Sequence, residues 1–323
     1  MTQPNVDAYR QALTAAAVFD RSAAGRVRVT GRDRLDLLHR LSTQDLKALP
    51  AGRVASTILT TPIARIVDRI DVLNLGEELL LLTGAGRSTA VRKWLTGYIF
   101  FRDEVKLQDV AAERGELVLV GPSAEAVIGA VLPEAGLPSA GEVSVLDDVV
   151  VARLTVLGDA GFVVLPPAAS LPLWLDRLEA QGATRGDEAA FEQLRVRAGE
   201  PAASHELTDA YIPLELDLWG SVSFNKGCYI GQEILARMES RGKLARRLRG
   251  LRADAPLSVG AEVRALDDNA VPTGSALGTV TSAADLPDLG AAGLTVLRAA
   301  VEPGAAVDAG GVRATVVELP FTA

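Results

Sequence analysis

One cysteine and two histidines are all that 323 residues offer to disulfide or metal chemistry. A single cysteine closes no internal disulfide, which argues against an oxidising compartment and points to the cytoplasm. His39 and His205 stand apart from any cysteine or carboxylate cluster at metal-ligand spacing, so no zinc site is expected. One thiol also cannot ligate an iron–sulfur cluster, which takes four protein ligands. Long apolar runs are missing: Leu79 to Leu82, the most apolar stretch, falls far short of the roughly 20 residues that cross a bilayer. Basic charge is in deficit, with 33 Lys and Arg against 41 Asp and Glu and a formal net charge of −8. That balance argues against a general nucleic-acid binder. The start, MTQPNVDAYRQALTAAAVFD, has no basic head before a long apolar run and does not read as a signal peptide. No GxxxxGK[ST] loop occurs, and TGAGRS at 83–88 lacks the spacing of a nucleotide fingerprint and reads as a turn. What remains is an ordinary soluble composition, 48% hydrophobic and 23% charged, long enough for two or three domains.

Two pairs of segments look alike. GRVRVTGRDRLDLLHRL runs from strand through Gly31 into a helix with Leu35, Leu38 and Leu41 on one face. GELVLVGPSAEAVIGAVL does the same through Gly121, with Ala124, Val127, Ile128 and Val131. A second pair, ELLLLTGAGRSTAVRKWL and FVVLPPAASLPLWLDRLEAQG, gives a buried strand, a turn and a helix, the latter stopping near Gly182. The repeat predicts two related α+β units, against the alternative that so common a pattern recurs by chance. After residue 245 helical periodicity fades into short β-type runs (SVGAEVRAL, SALGTVTSA, GLTVLRAAV, GVRATVVEL), which predict a small barrel or sandwich. The expected domains are 1–110, 111–245 carrying the cysteine stretch, and 246–323.

The lone cysteine lies in PLELDLWGSVSFNKGCYIGQEILARM, which passes from an extended run through Gly227 and Gly231 into a helix. Gln232 and Glu233 fall in its first turn, where a carboxylate suits the helix dipole, and Ile234, Leu235 and Met238 form its buried face. The glycines allow positive φ or a close backbone approach. Lys226 and the helix N-terminus would each favour thiolate at Cys228. Against this stands the plain reading of an isolated cysteine as a small buried hydrophobe. Downstream, Arg241, Lys243, Arg246, Arg247, Arg249 and Arg252 crowd one stretch. They form either a solvated basic face or an anion site, with Arg241, Lys243 and Arg246 as the candidate contacts. Tyr98, Phe100 and Phe101 are expected to fill a core rather than stack on a ligand.

KGCYIGQEILAR, Lys226 to Arg237, resembles the K-G-C-[FY]-x-G-Q-E-x-x-x-[RK] motif of the YgfZ family of folate-binding proteins. It matches at Lys226, Gly227, Cys228, Tyr229, Gly231, Gln232, Glu233 and Arg237. LRVRAGEPAASHELTDAYIPLEL and VTGRDRLDLLHRLSTQDLKAL are similar to neighbouring segments of that family and of its relative, the glycine cleavage T-protein. The resemblance implies two α+β units around a central hole for tetrahydrofolate, closed on one side by a β-barrel. It also implies a role in assembling or repairing iron–sulfur clusters, with an indirect effect on tRNA modification and Cys228 as the key residue. Iron–sulfur proteins or assembly factors would be the partners, with neither nucleic acid nor membrane bound directly. Two departures stand out. LTTPIARI differs from the usual turn before the next strand, and Arg197 stands where the T-protein has a glutamate facing the pterin. The second argues for an accessory folate-binding protein over a one-carbon (aminomethyl) transferase; a binding module without chemistry is the third reading.

Overall fold

The computed structural model describes residues 5–133 and 136–322. Helix α1 (Val6–Thr14) leads into β1 (Ala17–Asp20), which does not pair with the strand that follows it. Next come β2 (Ala24–Thr30), α2 (Arg34–Leu41), β3 (Val54–Thr60), β4 (Ile66–Asn74), β5 (Leu79–Ala85) and α3 (Ser88–Thr96). The pattern then restarts with β6 (Lys106–Asp109), β7 (Leu117–Val120), α4 (Ala124–Val131), β8 (Val143–Leu146), β9 (Val149–Val156), β10 (Asp159–Leu165) and α5 (Leu171–Ala180). Short β11 (Thr184–Gly186), α6 (Glu188–Ala198) and α7 (Gln232–Arg241) follow.

The two sheets carry the same order. One reads β3-β4-β5-β2-β6 and the other β8-β9-β10-β7-β1, with β11 added at its edge. Position for position, β7 matches β2, β10 matches β5, β9 matches β4, and β8 matches β3. The predicted duplication of sheet and helices is therefore present in the fold. The first strands are exchanged: β1 pairs antiparallel with β7, and β6 with β2. Each repeat thus completes the other's sheet. A division at residue 110 crosses this exchange, because β1 lies in the first stretch of sequence and in the second sheet. Local periodicity shows that a strand exists but not which sheet it joins.

Helices cover one face of each sheet. Leu37, Leu38 and Leu41 of α2 and Val91 and Leu95 of α3 bury against Val27, Val29, Ile70 and Leu81. Val127 and Ile128 of α4 and Trp174 and Leu178 of α5 do the same against Leu117, Leu119, Val151 and Phe162. The opposite faces share one core with α1 and α6, including Phe19, Leu80, Leu82, Val118, Val163 and Phe191. Beyond α7, β12 (Arg246–Ala253), β13 (Glu262–Leu266), β14 (Pro272–Leu286), β15 (Gly290–Arg298), β16 (Ala306–Ala309) and β17 (Arg313–Val317) close into the expected barrel, in the order β12-β15-β14-β13-β16-β17. Among the described residues no helix is long and apolar enough to cross a membrane.

Candidate functional site

The cysteine loop is stitched to the first repeat. Lys226 is buried, and its ammonium donates to the carbonyls of His39 at 2.5 Å, Ser42 at 2.7 Å and Gln44 at 2.8 Å. An ammonium has three N–H donors, so all are used. His39 belongs to the last turn of α2, where carbonyls lack helical partners and the dipole is negative. Burial draws the Lys226 pKa down to about 8, opposed by the charge of Asp45. The Tyr229 ring lies 4.8 Å from the ammonium, and burial pushes the tyrosine hydroxyl up to about 12. Downstream, Ile230 donates its N–H to Arg40, and Thr60 donates its hydroxyl to the Ile230 carbonyl at 2.7 Å. Gly231 has φ +87°, and a Cβ there would lie 2.9 Å from both Thr60 Oγ1 and the Thr61 carbonyl.

Between these anchors Gly227 and Cys228 are exposed, and Cys228 is a free thiol. The plain reading of Cys228 as a buried hydrophobe therefore fails. The three donors of Lys226 are committed to the backbone of residues 39–44, so it has none left to hydrogen-bond the thiol. Gly227 needs neither positive φ nor close approach, since a Cβ there would meet nothing. Gln232 opens α7, and exposed Glu233 pairs with Arg237 one turn on at 2.8 Å. Arg241, Lys243 and Arg246 are exposed and line neither of the two cavities described here. Arg247 and Arg249 do line one, of about 320 Å³, between the barrel and residues 214–219, where Arg249 pairs with Glu318 at 3.2 Å. Phe100 and Phe101, expected in a core, are 62% and 92% exposed at a loop tip, while Tyr98 packs at a tilt against Trp94.

A second cavity, about 280 Å³, lies between the sheets and α6. Its apolar wall includes Leu82, Val118, Leu154, Val163 and Phe191. Strand alternation sets the polar wall: Ile70 and Val72 of β4 face the helices, so Arg69 and Asp71 face the cavity. Glu116, just ahead of β7, enters from the other sheet. Burial pushes its carboxyl up to about 7; the Arg26 guanidinium at 3.2 Å opposes that rise and the Asp71 charge adds to it. Cys228 lines neither this cavity nor the barrel-side one. Arg197 turns away as well, donating to Tyr9 and Asp288.

The likeness to the T-protein is matched by comparison with known proteins. The GCVT N-terminal domain pattern fits residues 2–226. The chain belongs to the GCVT family. A chloroplastic Arabidopsis thaliana protein named as a transferase is 32% identical over 255 residues, covering 76% of this chain. The chain spans only 58% of that relative's length. The aminomethyltransferase of Symbiobacterium thermophilum is 31% identical over 285 residues, covering 80% of this chain and 75% of its own. The crystal structure of the glycine cleavage system aminomethyltransferase T from Bartonella henselae superposes with a TM-score of 0.84 at 22% identity, over 98% of this chain and 89% of that one. Within this GCVT fold, Cys228 lies beyond the matched domain pattern, which ends at Lys226.

Asp68, Asp71 and Glu116 escape motif reading. Asp71 had a signal in IVDRIDVLN, where Arg69 and Asp71 stand at period 2 in an apolar strand, and Asp68 had one as a charge on the opposite, apolar face; Glu116 had one as a lone charge heading the buried run LVLV. Asp68 is fully buried behind the cavity wall at Gly84, accepting from the Arg69 and Gly84 N–H groups. Burial raises its pKa to about 6, with the Arg87 guanidinium opposing. A carboxyl whose folded pKa exceeds its unfolded value favours folding when protonated, so this contribution is full below pH 4 and is lost as pH rises through about 6. Asp68→Asn is therefore expected to gain roughly 1–3 kcal/mol relative to wild type between pH 4 and pH 7. Urea midpoints at the two pH values measure this; a constant difference would exclude it.

Proposed function

We propose that the chain is a folate-binding protein of the YgfZ type, in which the central cavity holds the pterin head of tetrahydrofolate. Cys228 then serves the assembly or repair of iron–sulfur clusters in partner proteins, and tRNA modification is affected through enzymes that carry such clusters. The observation that carries this reading is the exposed free thiol on a loop fixed at both ends by buried contacts. One thiol cannot hold a cluster, so it acts with groups from a partner.

The cavity fits the ligand's head. At about 280 Å³ it lies just under the roughly 300–1,000 Å³ of sites that enclose a whole drug-sized molecule. It therefore takes a bicyclic ring and leaves the tail outside. Its apolar wall suits the ring faces, and its carboxyls suit an edge rich in N–H donors. Bound tetrahydrofolate would supply a one-carbon carrier; the chain's own groups bind and orient it and shield it from water.

Two measurements test the parts separately. Calorimetric titration with tetrahydrofolate should show binding well below millimolar; no heat at near-millimolar ligand removes the cofactor. Cys228→Ser should abolish rescue of cluster-dependent enzymes in cells lacking this protein, at unchanged abundance and thermal midpoint. Full rescue by the serine variant would end the proposed thiol role.

A one-carbon transferase is the second reading, favoured by the likeness to aminomethyltransferases and by carboxyls able to move a proton at the cavity wall. Formation of methylene-tetrahydrofolate from an aminomethyl donor would establish it directly.

A further inference from the structure

The barrel-side cavity of about 320 Å³ is lined by a buried base and a buried acid that do not pair with each other. Arg249 of β12 is 8% exposed. Its two described acceptors, a Glu318 carboxylate oxygen and the Leu248 carbonyl, both take Nη1. Glu318 is largely exposed, so solvent weakens that pair. Nε is buried without an acceptor, and Nη2 donates to no described residue. Glu215 comes from the other wall, on the single turn Pro213–Leu216, and is 7% exposed. Its Oε2 accepts the Ile212 N–H at 3.2 Å. Oε1 accepts from no described residue, and no described cation pairs with the carboxylate. A buried charge is costly unless a counter-group neutralises it. Here two charges of opposite sign line one space, and neither serves the other.

We propose that this cavity is a second ligand site, which takes a small zwitterion: a free α-amino acid with an apolar side chain. The ligand carboxylate accepts from the unused Nη2 of Arg249, and its ammonium donates to Oε1 of Glu215. One molecule carrying both charges satisfies both walls, whereas a plain anion or cation leaves one buried charge unmatched. At the exposed rim Arg247 and Asp217 repeat the two signs. Leu214, Leu216, Leu319 and Pro320 supply an apolar lining for the side chain, and half-buried Trp219 completes it. The volume lies at the lower end of the roughly 300–1,000 Å³ of small-molecule sites, which suits a single amino acid better than a peptide. Pro201 alone lines both this cavity and the central one, so the site stands apart from the proposed folate site and does not depend on it.

The test is calorimetry with L-leucine and L-phenylalanine, with leucine amide, which lacks the carboxylate, and with N-acetyl-leucine, which lacks the ammonium. At least one of the two amino acids should bind wild type below millimolar, and each one-charge analogue should bind about tenfold to a hundredfold more weakly. Arg249→Met should weaken the amino acid by a similar factor and cost leucine amide little further. Glu215→Gln should weaken it too and cost N-acetyl-leucine little further. Methionine keeps the apolar stem and glutamine keeps the acceptor for Ile212, so both variants should fold; thermal midpoints check this. Trp219 emission reads occupancy without touching either charge: it should shift on binding, and the shift should vanish in Trp219→Phe. No heat from either amino acid at near-millimolar concentration on folded wild type overturns the site. Analogues that match the parent amino acid overturn the two-charge reading, and affinity unchanged in both folded charge variants places the ligand elsewhere and overturns the assignment.

Discussion

Replacing Lys226 with methionine should lower the unfolding free energy by about 3 kcal/mol or more, a larger loss than any change at Cys228 itself. Methionine fills similar volume and keeps the apolar stem, so the loss comes from the charged hydrogen bonds. Each is worth roughly 1.5–3 kcal/mol when its partners stay buried, and the contributions overlap. Three carbonyls at residues 39–44 would be left facing hydrocarbon. Denaturant midpoints measure the effect. Alkylation of Cys228 separates it from direct activation of the thiol: an activating lysine would slow alkylation on removal without changing stability. An anchor does the reverse, and a looser loop exposes the sulfur at least as much. A methionine variant as stable as wild type but slower to alkylate would restore the thiol-partner role to Lys226.

The motif was therefore legible as a motif, but three of its members are anchors. Gly231, Tyr229 and Lys226 hold residues 226–231 against α2 and the turn after β3, while Gly227, Cys228, Glu233 and Arg237 are exposed. Sequence spacing could not separate these roles because the carbonyls that bind Lys226 come from about 180 residues earlier. The barrel and the duplicated strand-to-helix units were readable, since local period and turn residues define them. The cavity carboxyls were not, because a charge in a strand acquires meaning only when the opposite sheet is known. Phe100 and Phe101 show the same limit from the other side. Their aromatic character suggested a core, yet the loop between α3 and β6 carries them outward, and the exchange of β6 fixes that path.

The exchange itself makes the second large prediction. In both repeats the glycine after the strand packs against the chain entering the exchanged strand. Gly31 has φ +103°, and a Cβ there would lie 1.9 Å from the carbonyl oxygen of Glu104, just ahead of β6. Gly121 has φ +109°, and its Cβ would lie 2.5 Å from the carbonyl oxygen of Ala15, just ahead of β1. Alanine at either site adds about 1–2 kcal/mol of left-handed backbone strain to about 1–3 kcal/mol of overpacking. Losses of roughly 2–5 kcal/mol are therefore expected. Gly86 supplies the control, because its φ is +68° and a Cβ would meet nothing within 4 Å, leaving backbone strain alone. Gly86→Ala should cost only about 1 kcal/mol. Hydrogen exchange locates the damage: Gly31→Ala should deprotect β6 and its partner β2, and Gly121→Ala should deprotect β1 and β7. Since these strands tie the sheets on either side of the cavity, each variant should also weaken ligand binding without touching a lining residue. Equal losses at all three glycines would mean that backbone strain, not the packing of the exchanged strands, accounts for the effect.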